Sequence, residues 1–206
     1  MRNLPREARV IICLLIAIVP INIVRVLLHR FVNRYQISLH ARIGFGTLLL
    51  VDEARIGRAG IGKLNRFDGP FSLVIDDGAS IGPFNSFICV RLGAEKQPAF
   101  GKYMRYCRIG SNTLITQSHV IDATGGFELG SNSWLAGCGS QFWSHGIENA
   151  PVSIGSDCYV CSAVRFTPGS SVANRVLVAV GSVVTKKFEQ DGVMIGGVPA
   201  SIIRDN

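Results

Sequence analysis

Charged residues are scarce in this chain, at 17% of 206 residues, and acids are almost absent from its first fifth. Residues 1–42 hold Arg2, Arg6, Arg9, Arg25, Arg30, Arg34 and Arg42 against Glu7 alone, a net of +6, while the remainder carries 14 basic and 13 acidic residues. Aromatics are also few, at 8%, and the N-terminal arginines lie among aliphatics, which argues against the stacking platform that single-stranded nucleic acid needs. No apolar run is long enough for a membrane span. The fifteen uncharged residues from Val10 to Val24, broken by Pro20 and Asn22, fall short of the roughly 20 required. No small-residue cleavage site follows them, so the run does not read as a signal peptide. An apolar stretch bracketed by arginines fits a helix lying in the interface of an anionic leaflet. A helix that caps the solenoid or packs between subunits is the alternative, and the sequence leaves both open for residues 1–36.

Two further shortages matter. The six cysteines, at 13, 89, 107, 138, 158 and 161, are scattered, and the CxxC formed by Cys158 and Cys161 has no second pair. They make neither a disulfide framework nor a zinc site and replace small or apolar residues at repeat positions, Cys158 and Cys161 as two buried thiols, suited to a reducing cytoplasm. The run Gly57-Arg58-Ala59-Gly60-Ile61-Gly62-Lys63 has the spacing of a phosphate-binding loop, but Leu64 stands where Ser or Thr must hold magnesium.

What the chain does have is a beat of six. Ile154, Val160, Phe166, Val172, Val178 and Val184 recur at that interval, and Cys158, Val164, Ser170, Val176 and Ser182 each follow by four. The beat appears upstream at Ile75, Ile81 and Phe87, at Ile109, Ile115 and Ile121, and at Leu129 and Leu135, with seven Ile-Gly dipeptides along it. Neither the strand period of 2 nor the helix period of 3.6 sustains this pattern. It predicts short strands joined by tight corners, three to a turn, stacked as an all-β parallel β-helix over residues 37–206. Abundant glycine is expected where corners need φ > 0. The open ends of such a solenoid call for caps or partner subunits.

Histidine supplies the candidate chemistry. His145, in Gln141-Phe142-Trp143-Ser144-His145-Gly146, falls where the beat fails: Gln141 occupies the aliphatic position, and an irregular stretch to Val152 precedes Ile154. A break that exposes a histidine is where a solenoid places a site, and imidazole can take a proton from a hydroxyl near neutral pH. His119 stands in an unbroken stretch at a small-residue position and reads as a corner or interface residue. With these two solenoid histidines 26 apart, the three zinc histidines of a γ-class carbonic anhydrase are not available.

The run from Ile154 to Arg204, with Thr167-Pro168-Gly169, Val180-Gly181-Ser182-Val183-Val184-Thr185-Lys186 and Gly196-Gly197-Val198-Pro199-Ala200, resembles the C-terminal signature of hexapeptide-repeat acyltransferases. More narrowly it is similar to the maltose, nodulation-factor, colanic-acid and lipopolysaccharide O-acetyltransferases. Ile121-Asp122-Ala123-Thr124-Gly125-Gly126 resembles the turn before that family's catalytic histidine, and Val19-Pro20 with Arg25 to Leu28 the N-terminal helix of membrane-associated members. The resemblance implies a left-handed β-helix and a homotrimer with its sites in the grooves between subunits. It implies acetyl-CoA as co-substrate, no metal, and a carbohydrate acceptor. His145 would be the general base, with Ser162, Val180, Gly181, Thr185, Lys186 and Arg204 along the CoA groove. It points to an O-acetyltransferase of bacterial surface polysaccharide or lipopolysaccharide biosynthesis, working at the inner face of the cytoplasmic membrane. An amino-sugar N-acetyltransferase and a non-catalytic scaffold are the alternatives. The chain departs from the pattern in having Tyr159-Val160-Cys161 for the common Trp-Ile-Gly, and in lacking a second histidine or acid close after the base, unless Glu148 serves.

Overall fold

The computed structural model describes residues 5–90, 103–146 and 149–206. Two helices, α1 (Arg6–Ala17) and α2 (Asn22–Val32), precede short strands that wind into a parallel β-helix of seven turns. Each of the seven turns gives one strand to each of three flat faces; among the described residues Lys187–Phe188 adds an eighth to the first face, and Val193–Gly197 with the antiparallel Ala200–Asp205 makes nine on the second. The residues of the six-beat stack in register. Ile75, Ile109, Leu129, Ile154 and Val172 align on the first face, and Ile81, Ile115, Leu135, Val160 and Val178 on the second. Phe87, Ile121, Phe142, Phe166 and Val184 align on the third. All of these are buried, so each turn puts three large apolar side chains on the axis, each worth about 1.5–3 kcal/mol of burial. Phe67 stacks on Phe87 with ring centroids 4.3 Å apart, and Phe142 on Phe166 at 5.3 Å.

The small residues four places after each beat are buried at the corners, as the spacing requires: Cys158, Val164, Ser170, Val176 and Ser182. The glycines of the Ile-Gly pairs serve a different purpose from the one composition suggests. None of them has positive φ, and among the described residues ten non-glycine residues, Leu64, Asn112, Ala163 and Arg175 included, take the left-handed conformation instead. Those glycines are there because successive turns touch. A Cβ on Gly44 would lie 2.3 Å from the backbone of Gly62, and one on Gly155 would lie 2.4 Å from that of Ala173.

The helices close the solenoid's first turn. α1 packs against the strand Leu48–Leu50, and α2 against Arg42–Ile43 and Gln36–Ile37, so all three faces are covered at that end. A first turn leaves strand edges unpaired, and here side chains satisfy them. The Asn22 amide donates to the Ala41 carbonyl at 3.0 Å and accepts the Ile43 N–H at 2.8 Å, as a neighbouring strand would. The buried Arg25 guanidinium donates to the Ile43 carbonyl through Nε at 3.0 Å and Nη2 at 2.6 Å. Arg30 reaches the Ile37 carbonyl at 2.7 Å, and the Tyr35 hydroxyl donates to the Val51 carbonyl at 2.7 Å. Burial pushes the pKa of His29 down to about 4, with help from the Arg25 charge, so this buried imidazole is held neutral. No helix among the described residues is long and apolar enough to cross a membrane.

Candidate active site

Extra chain collects at one corner of the solenoid, where the third face turns into the first. The regular step there is six residues, from Phe166 to Val172, but it is eight from Ile121 to Leu129 and twelve from Phe142 to Ile154. Gln141 does not take the inward position, contrary to the reading of a lost aliphatic. The strand Trp134–Cys138 carries a bulge that adds one residue, and Phe142 points inward, fully buried, in its place. The break is therefore an insertion. It ends by bringing Asn149 back to bridge the backbone of His145.

His145 does have an acid partner, and it comes from one turn earlier. Its Nδ1 lies 2.6 Å from Oδ2 of Asp122, whose side chain has no exposed surface, while the imidazole is 41% exposed. Asp122 is locked in turn. Oδ1 accepts the Thr124 N–H at 3.0 Å and the Thr124 hydroxyl at 2.5 Å, and Oδ2 accepts the Ser144 N–H at 3.0 Å. The Ser144 hydroxyl donates to the Asp122 carbonyl at 2.6 Å and accepts the Gly125 N–H at 2.9 Å. With the Thr124 N–H, the Thr124 hydroxyl and the Ser144 N–H all aimed at the carboxylate, it faces His145 as an acceptor, and Nδ1 of His145 carries the proton and donates. Nε2 is left with its lone pair on the opposite edge of the ring, ready to take a proton from a substrate. Trp143 meets the His145 ring edge-on at 6.1 Å. Glu148, the acid considered from sequence, lies outside the described residues.

Asp122 is the functional residue that reading along the chain missed as the partner. It is 23 residues from His145, and only the stacking of turns makes them neighbours. Only the register shows it: Ile121 pairs with Phe142, so the residue after Ile121 lies beneath the one after Phe142, two short of His145.

His119 is a corner residue. It continues a buried column with Asn65 and Asn85, in which the Asn85 N–H donates to Asn65 Oδ1 at 2.8 Å and the His119 N–H to Asn85 Oδ1 at 2.9 Å. Its Nδ1 accepts the Ser140 N–H at 3.2 Å, so its Nε2 proton points to Thr116 Oγ1, 3.0 Å away. Burial pushes its pKa down to about 4, and both ring nitrogens are already engaged.

The six residues expected along a CoA groove fall into three places. Thr185 and Lys186 lie on the His145 corner two turns further on, where Lys186 sits over the Phe188 ring at 5.3 Å. Ser162, Val180 and Gly181 lie at the other edge of the third face, where the Gly181 N–H donates to the Ser162 carbonyl at 3.0 Å and Val180 is 70% exposed. Arg204 is exposed on the C-terminal strand Ala200–Asp205, opposite Met194. Within one chain these residues lie apart, at two corners of the third face and on the C-terminal strand. No cluster of metal-ligating side chains occurs among the described residues.

No protein-family model and no curated protein matches the chain in sequence. Solved structures match it in fold. A hexapeptide-repeat-containing acetyltransferase from Vibrio cholerae is 20% identical over 97% of this chain and 89% of its own, with a TM-score of 0.52. The same bacterium's protein complexed with acetyl coenzyme A aligns over 97% and 86% at 17% identity and a TM-score of 0.39. A maltose O-acetyltransferase from Clostridium difficile aligns over 63% and 70% at 21% identity, with a TM-score of 0.44. At this level of identity the likeness is one of architecture: the chain shares the β-helix fold of the hexapeptide-repeat acetyltransferase from Vibrio cholerae.

Proposed function

We propose that this protein transfers the acetyl group of acetyl-CoA to a hydroxyl of a carbohydrate acceptor. The observation that carries the proposal is the exposed imidazole of His145, held through Nδ1 by a fully buried aspartate. A scaffold has no need of such an arrangement. Nε2 of His145 takes the proton of the acceptor hydroxyl as its oxygen attacks the thioester carbonyl. The tetrahedral intermediate then collapses, the C–S bond breaks, and the imidazolium returns the proton to the departing CoA thiolate. Asp122 fixes the tautomer and stabilises the imidazolium between these two steps, the role of the acid in a catalytic triad. Transfer is direct, with no acyl-enzyme, so the cysteines take no part.

The sequence resemblance supports Ser162, Val180, Gly181, Thr185, Lys186 and Arg204 as the CoA contacts, the last two basic residues facing its phosphates. The division of Ser162, Val180, Gly181, Thr185 and Lys186 over two edges of one face, with Arg204 on the C-terminal strand, suits a groove shared between copies, and we assign a homotrimer on that ground. The basic, apolar residues 1–36 are assigned to the surface of an anionic membrane, placing the enzyme at the inner face of the cytoplasmic membrane. Its acceptor is then a lipid-linked glycan of surface polysaccharide or lipopolysaccharide synthesis.

The test combines CoA binding with an acceptor screen. CoA should raise the melting temperature, and labelled acetyl-CoA should label one member of a panel of lipid-linked and nucleotide-linked sugars in alkali-labile ester linkage. An alkali-stable product would mark an amine acceptor instead. No shift with CoA and no labelled product would leave a scaffold.

A further inference from the structure

The capping helices present an apolar surface on the side away from the solenoid. Ile11, Leu14, Leu15 and Ile18 follow the i, i+3, i+4, i+7 spacing of one helical stripe, and Ile21 and Val24 extend it; all six are exposed. The opposite faces of the helices, through Cys13, Ile16, Ala17, Arg25, Val26 and His29, are buried. Because the helices cover the first strand of all three faces, this apolar surface lies at the end of the solenoid, facing away from its first turn. Exposed arginines accompany it: Arg34 and Arg42 make no ion pair among the described residues, and Arg30 meets only a carbonyl. Arginine around an apolar stripe is the complement of an anionic lipid surface, and α1, at 12 residues, is about 18 Å long, suited to lying in that surface and not to crossing it.

His145 stands far from this end. On the third face the strand before it, Gln141–Phe142, is the fifth in order after Leu48–Leu50, Arg66–Asp68, Ser86–Ile88 and Val120–Asp122. Four strand spacings of about 4.8 Å give about 19 Å along the axis. The helix layer adds about 10 Å, and an interfacial helix sinks about 5–10 Å into the lipid.

We propose, resting on the membrane-surface reading above, that the solenoid stands upright on the leaflet and acts as a spacer, holding His145 about 20 Å above the lipid. The acceptor hydroxyl then belongs to a sugar several residues out along a lipid-linked glycan, beyond reach from the sugar that adjoins the lipid. An upright stance gives this specificity without any contact to the lipid-proximal sugars, since a hydroxyl near the bilayer surface never meets Nε2.

The stance can be measured without knowing the acceptor. Full-length protein with Trp134→Phe keeps Trp143, beside His145, as its one tryptophan; a second variant, Trp134→Phe/Trp143→Phe/Leu15→Trp, reports from the exposed stripe. Each is mixed with vesicles of phosphatidylcholine and phosphatidylglycerol, with or without a headgroup nitroxide lipid, which quenches only at short range. The tryptophan at 15 should lose at least half its emission while Trp143 keeps nearly all of its own. Equal quenching of both means the molecule lies on its side; the spacer inference then fails and the membrane reading stands. Quenching of neither, with no sedimentation on the vesicles, overturns both.

Discussion

Nδ1 of His145 and Oδ2 of Asp122 lie 2.6 Å apart, one residue facing solvent and the other fully buried beneath it in the preceding turn. The pair joins two levels of the solenoid, and each level contributes a different property. The inserted corner exposes the imidazole, and the regular stack below excludes water from the carboxylate that aims it. An inserted loop alone would leave the ring free to rotate.

Asp122→Asn should therefore reduce kcat by about 10²–10⁴-fold. The amide can donate to Nδ1, which turns the ring to the tautomer with its proton on Nε2, the wrong one for a base. The KM for acetyl-CoA and the thermal shift with CoA should stay near wild type, because the change is confined to the histidine's tautomer. A loss of CoA binding equal to the loss of rate would mean that Asp122 acts only by holding the corner together.

Acid should weaken the fold through His29 and His119. Both have pKa values pushed down to about 4 by burial, whereas in the unfolded chain they take protons near 6.5. Between those values the unfolded state binds more protons, so stability falls as pH drops from about 6.5 to about 4 and the loss levels off below that. Each site contributes on the order of 3 kcal/mol across the window. Denaturant unfolding at pH 7.5, 5.5 and 4.5 checks this, and His119→Gln should flatten the slope while leaving kcat largely intact. Equal slopes in variant and wild type would show that His119 does not titrate with folding.

Lys186→Ala and Arg204→Ala should each raise the KM for acetyl-CoA, by about tenfold for a lost charge-assisted contact of about 1.4 kcal/mol or more, with kcat little changed. The penalty should shrink with dephospho-CoA for whichever residue meets the 3′-phosphate. Arg204 is the sharper test, since it lies on the C-terminal strand, apart from the corner that carries His145. An unchanged KM in both variants would move the CoA site elsewhere.

The repeat was legible because a β-helix writes its inward positions into the sequence at a fixed interval, and from Ile75 to Val184 nearly every member of that series is an axial side chain. Phe142 escaped because a single bulged residue shifted the phase by one, which a period count cannot distinguish from a lost aliphatic. His145 could be found as a polar residue in a broken turn. Its partner Asp122 could not, because their contact depends on how many residues the turn between them holds. The N-terminal segment showed the same limit. Composition marked it as apolar and basic, but that Asn22 and Arg25 stand in for a missing strand follows only from their position over Ile43.

If His145 is the base of an acetyl transfer, its removal must slow the chemical step, and a side-by-side rate measurement reads that step. Wild-type protein and His145→Ala are given labelled acetyl-CoA and the acceptor found in the sugar screen, with circular dichroism and the CoA thermal shift confirming that both are folded and bind the donor. The variant should transfer acetyl about 10²–10⁴ times more slowly at equal CoA affinity if His145 is the base. A variant that transfers at the wild-type rate would contradict it.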